Sequence, residues 1–299
     1  MWLLLAGAVL AMQSTNAHAA CTPATGSNIM VTCSGATVNQ GPEINTGCGD
    51  STQNGLTLNV QSGASVTGTS QGIDVNNNNT INNFGTITTN GTGGLGNVFG
   101  ITTNGPLTVN NSGTIGEVNL TIPVYSDMAG VNTFGSGLVV VNSASGLIQG
   151  ANAIYVQATG GSAIVTNSGT ISGIAGGGGQ AINASGGTVT VTNNASGLIT
   201  ADDFAINANA ATVFNYGTIS APEAGVGGNA INSNTSVNVT NYASGLITSD
   251  GTAISGSTTV TVTNFGTISG TGLGGSGISG GTVDVTNAGS ILGNATATG

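Results

Sequence analysis

The chain is 299 residues long, has no Lys or Arg, ten Asp and Glu and one His, and carries a formal net charge of −10 at pH 7. Most nucleic-acid affinity rests on phosphate neutralisation and anionic membrane surfaces recruit Lys and Arg, so the composition disfavours both partner classes. Gly accounts for 53 residues and charged residues for 3%, yet aliphatic residues return at a regular spacing that disordered low-complexity sequence lacks.

The N-terminal stretch opens with an apolar run, Trp2 to Met12, followed by a polar stretch and by Ala17-His18-Ala19. This is the order of a secretory signal peptide with a small-x-small cleavage site, predicted over residues 1–19. The run is shorter than the roughly 20 apolar residues of a membrane-spanning helix. No Lys or Arg precedes it, so the true start is expected a few codons upstream.

Residues 20–55 are predicted to form an N-terminal cap. They contain the three cysteines, Cys21, Cys33 and Cys48, together with Pro23, Pro42, Glu43 and Asp50, and no copy of the motif that fills the rest of the chain. An exported chain lets its cysteines oxidise. A Cys21–Cys33 disulfide is favoured, with Cys48 free or the alternative partner, because spacing does not fix connectivity. Lipidation of Cys21 is disfavoured, since His18 stands where a lipoprotein signal wants an aliphatic residue.

Residues 56–299 are predicted to be one repeat domain. A degenerate copy at Leu56 to Gly68 precedes clear copies of a motif typified by VTNFGTISG at Val262 to Gly270. Its asparagine recurs at Asn83, Asn111, Asn142, Asn167, Asn193, Asn215, Asn241, Asn264 and Asn287, with gaps of 28, 31, 25, 26, 22, 26, 23 and 23 residues. A period of this size marks a solenoid with one supersecondary unit per turn. Each copy holds three short apolar segments, in residues 253–270 Ala253-Ile254, Val260 to Val262 and Thr267-Ile268. The second alternates apolar and polar residues, the signature of a strand, and Gly, Asn and Ser interrupt the segments too often for a helix. The predicted fold is all-β: a right-handed, single-stranded parallel β-helix of three short strands per coil and about nine or ten coils. At a strand spacing of about 4.7–4.9 Å the rod would be on the order of 45 Å long.

Val260, Val262 and Asn264 lie two apart and so share a face, which directs the asparagine inward. Buried amides need partners, and identical amides stacked from coil to coil can supply them as a ladder. The nine asparagines are therefore predicted to be structural. Insertions at Gly91 to Gly100, Gly116 to Gly130 and Gly173 to Gly179 interrupt the corners. Solenoids carry longer loops preferentially on a binding face, and the loop at 116–130, with Pro123, Tyr125, Asp127 and Met128, is the least repeat-like.

The signal sequence, the Cys-containing cap and the NFGTISG and NYGTISA coils resemble the passenger domain of a Gram-negative autotransporter of the type V secretion system. The resemblance covers residues 21–299. It implies export, crossing of the outer membrane through a translocator β-barrel, display at the surface or release, and an adhesin-like role toward an unidentified surface ligand, without a cofactor. No run of long strands suited to such a barrel follows, so a truncated passenger is expected.

Two rival readings attach to the same fold. A polysaccharide-degrading β-helix enzyme, similar to pectin lyases or polygalacturonases, would need paired carboxylates. Asp202-Asp203 is the one adjacent pair, but ITADDFAI parallels ITSDGTAI around Asp250 as a turn variant, no basic proton acceptor is present and aromatic platforms are sparse. No catalytic residue is assigned. An ice-binding or flat-surface-binding solenoid would use outward Thr190, Thr192, Thr261 and Thr263, a row broken by Asn238 and Asp284. The Gly-Gly-x-Gly-x-Asp calcium repeat is absent and Gly176 to Gly179 lacks the residues of a phosphate loop, so neither metal nor cofactor is expected.

Overall fold

The computed structural model describes residues 21–23, 26–43, 45–91, 98–116, 128–174, 178–222, 228–272, 275–293 and 295–297. The predicted signal peptide and residues 92–97, 117–127 and 175–177 of the three corner insertions lie outside these residues. All regular structure among them is β-strand, ordered as stacked coils of three strand segments.

The coil around Asn142 shows the unit: a first strand Met128–Thr133, a second Leu138–Asn142 and a third Leu147–Gly150. Each strand pairs in parallel with its equivalent in the coils before and after, as Asn142 does with Asn111 and Asn167. The result is a β-solenoid in which hydrogen bonds between coils run along the axis. Third strands make an 11-stranded sheet, while first and second strands belong to one 19-stranded sheet. The two are joined because the first and second segments run together as single strands at Gln180–Asn193, Phe204–Asn215, Ile254–Asn264 and Ile278–Asn287. One of the three predicted corners is thereby reduced to a bend inside a strand, marked by register shifts at Ala184/Thr188 and Gly256/Thr259.

Alternation decides which side chains meet inside. Val191, Val213, Val239 and Val262 succeed one another in register along the second strands, Ile182, Ile206, Ile231 and Ile254 along the first, and Ile199, Ile219, Ile247 and Ile268 along the third. All twelve are buried, and they belong to one continuous core. β-Branched residues suit these positions, since they pack on the pleated surface with little loss of rotamer freedom. A single coil buries too little apolar surface to offset its backbone entropy, so neighbouring coils must close each layer.

The glycine two residues after the asparagine has a steric cause. A Cβ on Gly217 would lie 2.3 Å from the Gly197 carbonyl oxygen, and one on Gly266 2.2 Å from that of Gly245. The corner brings successive backbones too close for a side chain.

The stretch predicted as a cap carries strands that continue the same ladders. Met30–Cys33 pairs in parallel with Thr57–Val60, Ala36–Val38 with Ser65–Gly68, and Thr46–Gly49 with Gln71–Val75. Cys21–Thr22 closes this end by an antiparallel pairing with Thr32 and Cys33. At the other end Val283, Val285 and Ile291 are only partly buried, and Ala295–Ala297 adds a strand beside Ile278–Gly280.

Candidate functional site

Three side-chain constellations stand out against the rod's aliphatic core. The first is the asparagine column at the end of the second strand. The Asn83 amide Nδ2 donates to Asn111 Oδ1 at 2.8 Å, and the relation is repeated from Asn111 to Asn142, Asn142 to Asn167, Asn167 to Asn193, Asn193 to Asn215, Asn215 to Asn241, Asn241 to Asn264 and Asn264 to Asn287, at 2.8–2.9 Å. Each amide also reaches backbone carbonyls; Asn193 Nδ2 donates to Gly197 O and Thr218 O at 3.1 Å. From Asn83 to Asn264 the column is buried, whereas Asn287 at the end of the rod is exposed. The buried amides, Asn83 to Asn264, are spent on hydrogen bonds within the fold. Asn82, Asn110 and Asn59 form a second, outer run, with Asn110 donating to Asn82 and Asn82 to Asn59 at 2.8 Å.

The second constellation is at the N-terminal end. Upstream of Asn83 the same column is occupied by Val60 and then Cys33, and Cys48 stands in the isoleucine column of the first strand, opposite Ile73. Cys33 is disulfide-bonded to Cys21, and Cys48 is a buried free thiol. Burial pushes the Cys48 thiol up to about 12. Next to it in the ladder Asp74 is 7% exposed. Its carboxyl is pushed up to about 7, first by burial and then by its hydrogen bond with Glu43 and the charges of Glu43 and Asp50. Glu43 moves the other way: the Ser51 hydroxyl and backbone N–H donate to it and hold it below the ordinary range. Below about pH 7 Asp74 thus carries the proton and Glu43 the charge.

The third constellation is aromatic and was not legible as a cluster in the sequence. The residue after each ladder asparagine points out at a corner, and in three consecutive coils it is Tyr216, Tyr242 and Phe265, whose N–H groups donate to Asn193 O, Asn215 O and Asn241 O. Tyr216 and Tyr242 stack with ring centroids 3.8 Å apart and an interplanar angle of 6°. Phe265 is 48% exposed, and Phe214, on the outer face of the second strand, lies between Thr192 and Thr240 in register. At the position of Tyr216 the other coils carry Phe84, Ser112, Ser143, Ser168, Asn194 and Ala288. The signal was the identity of one corner position read down the repeats rather than along the chain.

The outward threonines fall into ranks along the second strands, Thr190 beside Thr212 and Thr240 beside Thr263, but Phe214, Asn238 and Asp284 interrupt them. Asp202 and Asp250 hold equivalent turn positions, their N–H groups donating to Gly173 O and Ala221 O, one coil back in each case. The loop at 117–127 lies outside the described residues. No protein-family model, curated protein or solved structure matches the chain.

Proposed function

We propose that this chain is an exported, non-enzymatic interaction module, an adhesin-like passenger of the autotransporter type displayed by an outer-membrane translocator barrel. The single observation that carries the reading is the division of labour between inside and outside. The repeat's recurrent polar group is hydrogen-bonded within the core, while Phe214 stands among the outward threonines of the second strands and Tyr216, Tyr242 and Phe265 at the corners that follow them, the two tyrosines stacked. Replacement of the corner aromatics by Ser or Asn in other coils argues that the fold does not require them. Phe265 is exposed and the other three are half-buried, and apolar surface left accessible on a polar protein marks interaction sites. The Cys21–Cys33 disulfide supports an oxidising destination.

The ligand class that fits is a neutral, polyhydroxylated surface. Aromatic rings pack against the C–H faces of sugars, threonine and asparagine hydrogen-bond to hydroxyls, and a chain without Lys or Arg and with a net charge of −10 repels anionic polymers. The test is retention of the purified chain on neutral and on sulfated polysaccharides and on cell surfaces, with reducing ends measured in the same samples. Binding to the neutral polymers without new reducing ends is expected. Release of reducing ends would favour the enzyme reading, and retention on none of the surfaces would contradict the adhesive one.

A further inference from the structure

Three buried sulfurs meet at the N-terminal end of the core. Cys21, Cys33 and Cys48 place their Sγ atoms within 4.8 Å of one another, and Cys48 Sγ is 4.0 Å from Cys33 Sγ. Cys33 and Cys48 are held by parallel ladders on the core strands Met30–Cys33 and Thr46–Gly49. Cys21 is held by a two-residue antiparallel pairing and by the disulfide itself. A Cys33–Cys48 bond would therefore join two core strands already in place, and among the described residues the element released would be Cys21–Thr22.

We infer that the three sulfurs form an exchange site in which Cys48 displaces Cys21 from Cys33, making Cys21 a point of covalent attachment to a disulfide-bearing partner. The Cys48 thiol gives its proton to water, and the thiolate attacks Cys33 Sγ. The Cys48–Cys33 bond forms as the Cys33–Cys21 bond breaks, and Cys21 leaves as a thiolate, with no net oxidation. The Cys21 thiolate then attacks an external disulfide, forming a mixed disulfide and expelling the other half as a thiolate. Because the thiolate is the nucleophile, burial of Cys48 keeps the exchange slow until the end of the rod opens.

The test incubates the purified, disulfide-bonded chain with oxidised glutathione at pH 8, in urea below the unfolding midpoint, followed by acid quenching, peptic digestion and mass mapping without reduction. Glutathione on Cys21 together with a Cys33–Cys48 disulfide is the expected product. Glutathione on Cys48 with Cys21–Cys33 intact, or no adduct, overturns the proposal. Cys48→Ser removes the nucleophile and must abolish the Cys21 adduct. Cys21→Ser, oxidised with the same reagent, must yield the Cys33–Cys48 bond with the β circular-dichroism spectrum retained; separate glutathione adducts on Cys33 and Cys48 in that variant would also overturn it.

Discussion

At the scale of the single residue, the asparagine column shows how one side chain serves both as strand terminus and as clasp between coils. Asn193 accepts from Asn167 and donates to Asn215, each at 2.9 Å, with no exposure to water. Asn193→Ala leaves the Asn167 amide N–H groups with the Gly169 and Leu198 carbonyls but deprives the buried Asn215 Oδ1 of its donor, a loss of about 1–3 kcal/mol for the unsatisfied group. Thermal denaturation should show a clear fall in Tm for Asn193→Ala and little change for Asn287→Ala, whose side chain is at the exposed end. Equal effects would remove the ladder from the account. The period-two spacing of Val189, Val191 and Asn193 made the inward direction readable. What the spacing did not reveal is that the column begins with Cys33 and Val60, because their surroundings do not repeat the motif.

At the scale of the element, the corner is governed by backbone approach. Gly217 stands where a Cβ would lie 2.3 Å from Gly197 O. Gly217→Ala must therefore displace one coil against the next, costing about 1–3 kcal/mol as overpacking does. Urea unfolding should report a lower midpoint for Gly217→Ala but not for Gly178→Ala, where a Cβ meets nothing within 4 Å. The strand segments themselves were legible, since Val or Ile two residues before the asparagine and a following Gly-x-Ile announce them in each copy. The continuous strands Gln180–Asn193 and Phe204–Asn215 were not, because small residues such as Ala184 to Gly187 look like a corner and become a bend once neighbouring coils supply hydrogen-bond partners. The aromatic face was hidden for a related reason: Tyr216, Tyr242 and Phe265 are more than 20 residues apart in sequence and meet only through the coil register.

At the scale of the molecule, the two ends behave differently from the middle. The protonated Asp74 ties the N-terminal end to pH. Its carboxyl titrates at about 7 in the folded chain against about 3.9 when unfolded, so the folded state binds more protons between those values and stability falls as pH rises. The contribution is fully present below about pH 4 and is lost as pH rises through about 7. Glu43, with its lowered value, works in the opposite sense and at lower pH. Hydrogen exchange of the amides in residues 30–75 should accelerate from pH 5 to pH 8 beyond the intrinsic rate change, and Asp74→Asn should remove the excess. An unchanged excess in Asp74→Asn would discount the buried carboxyl. The central claim is that the core's polar groups serve the fold while recognition belongs to the outer face, and one paired measurement tests it most directly. Phe214→Ser, Tyr216→Ser, Tyr242→Ser and Phe265→Ser are combined in one chain, and its retention on neutral polysaccharide and its Tm are compared with those of the parent. Loss of retention with a Tm close to the parent's is the predicted result; retention undiminished at an unchanged Tm would contradict the account.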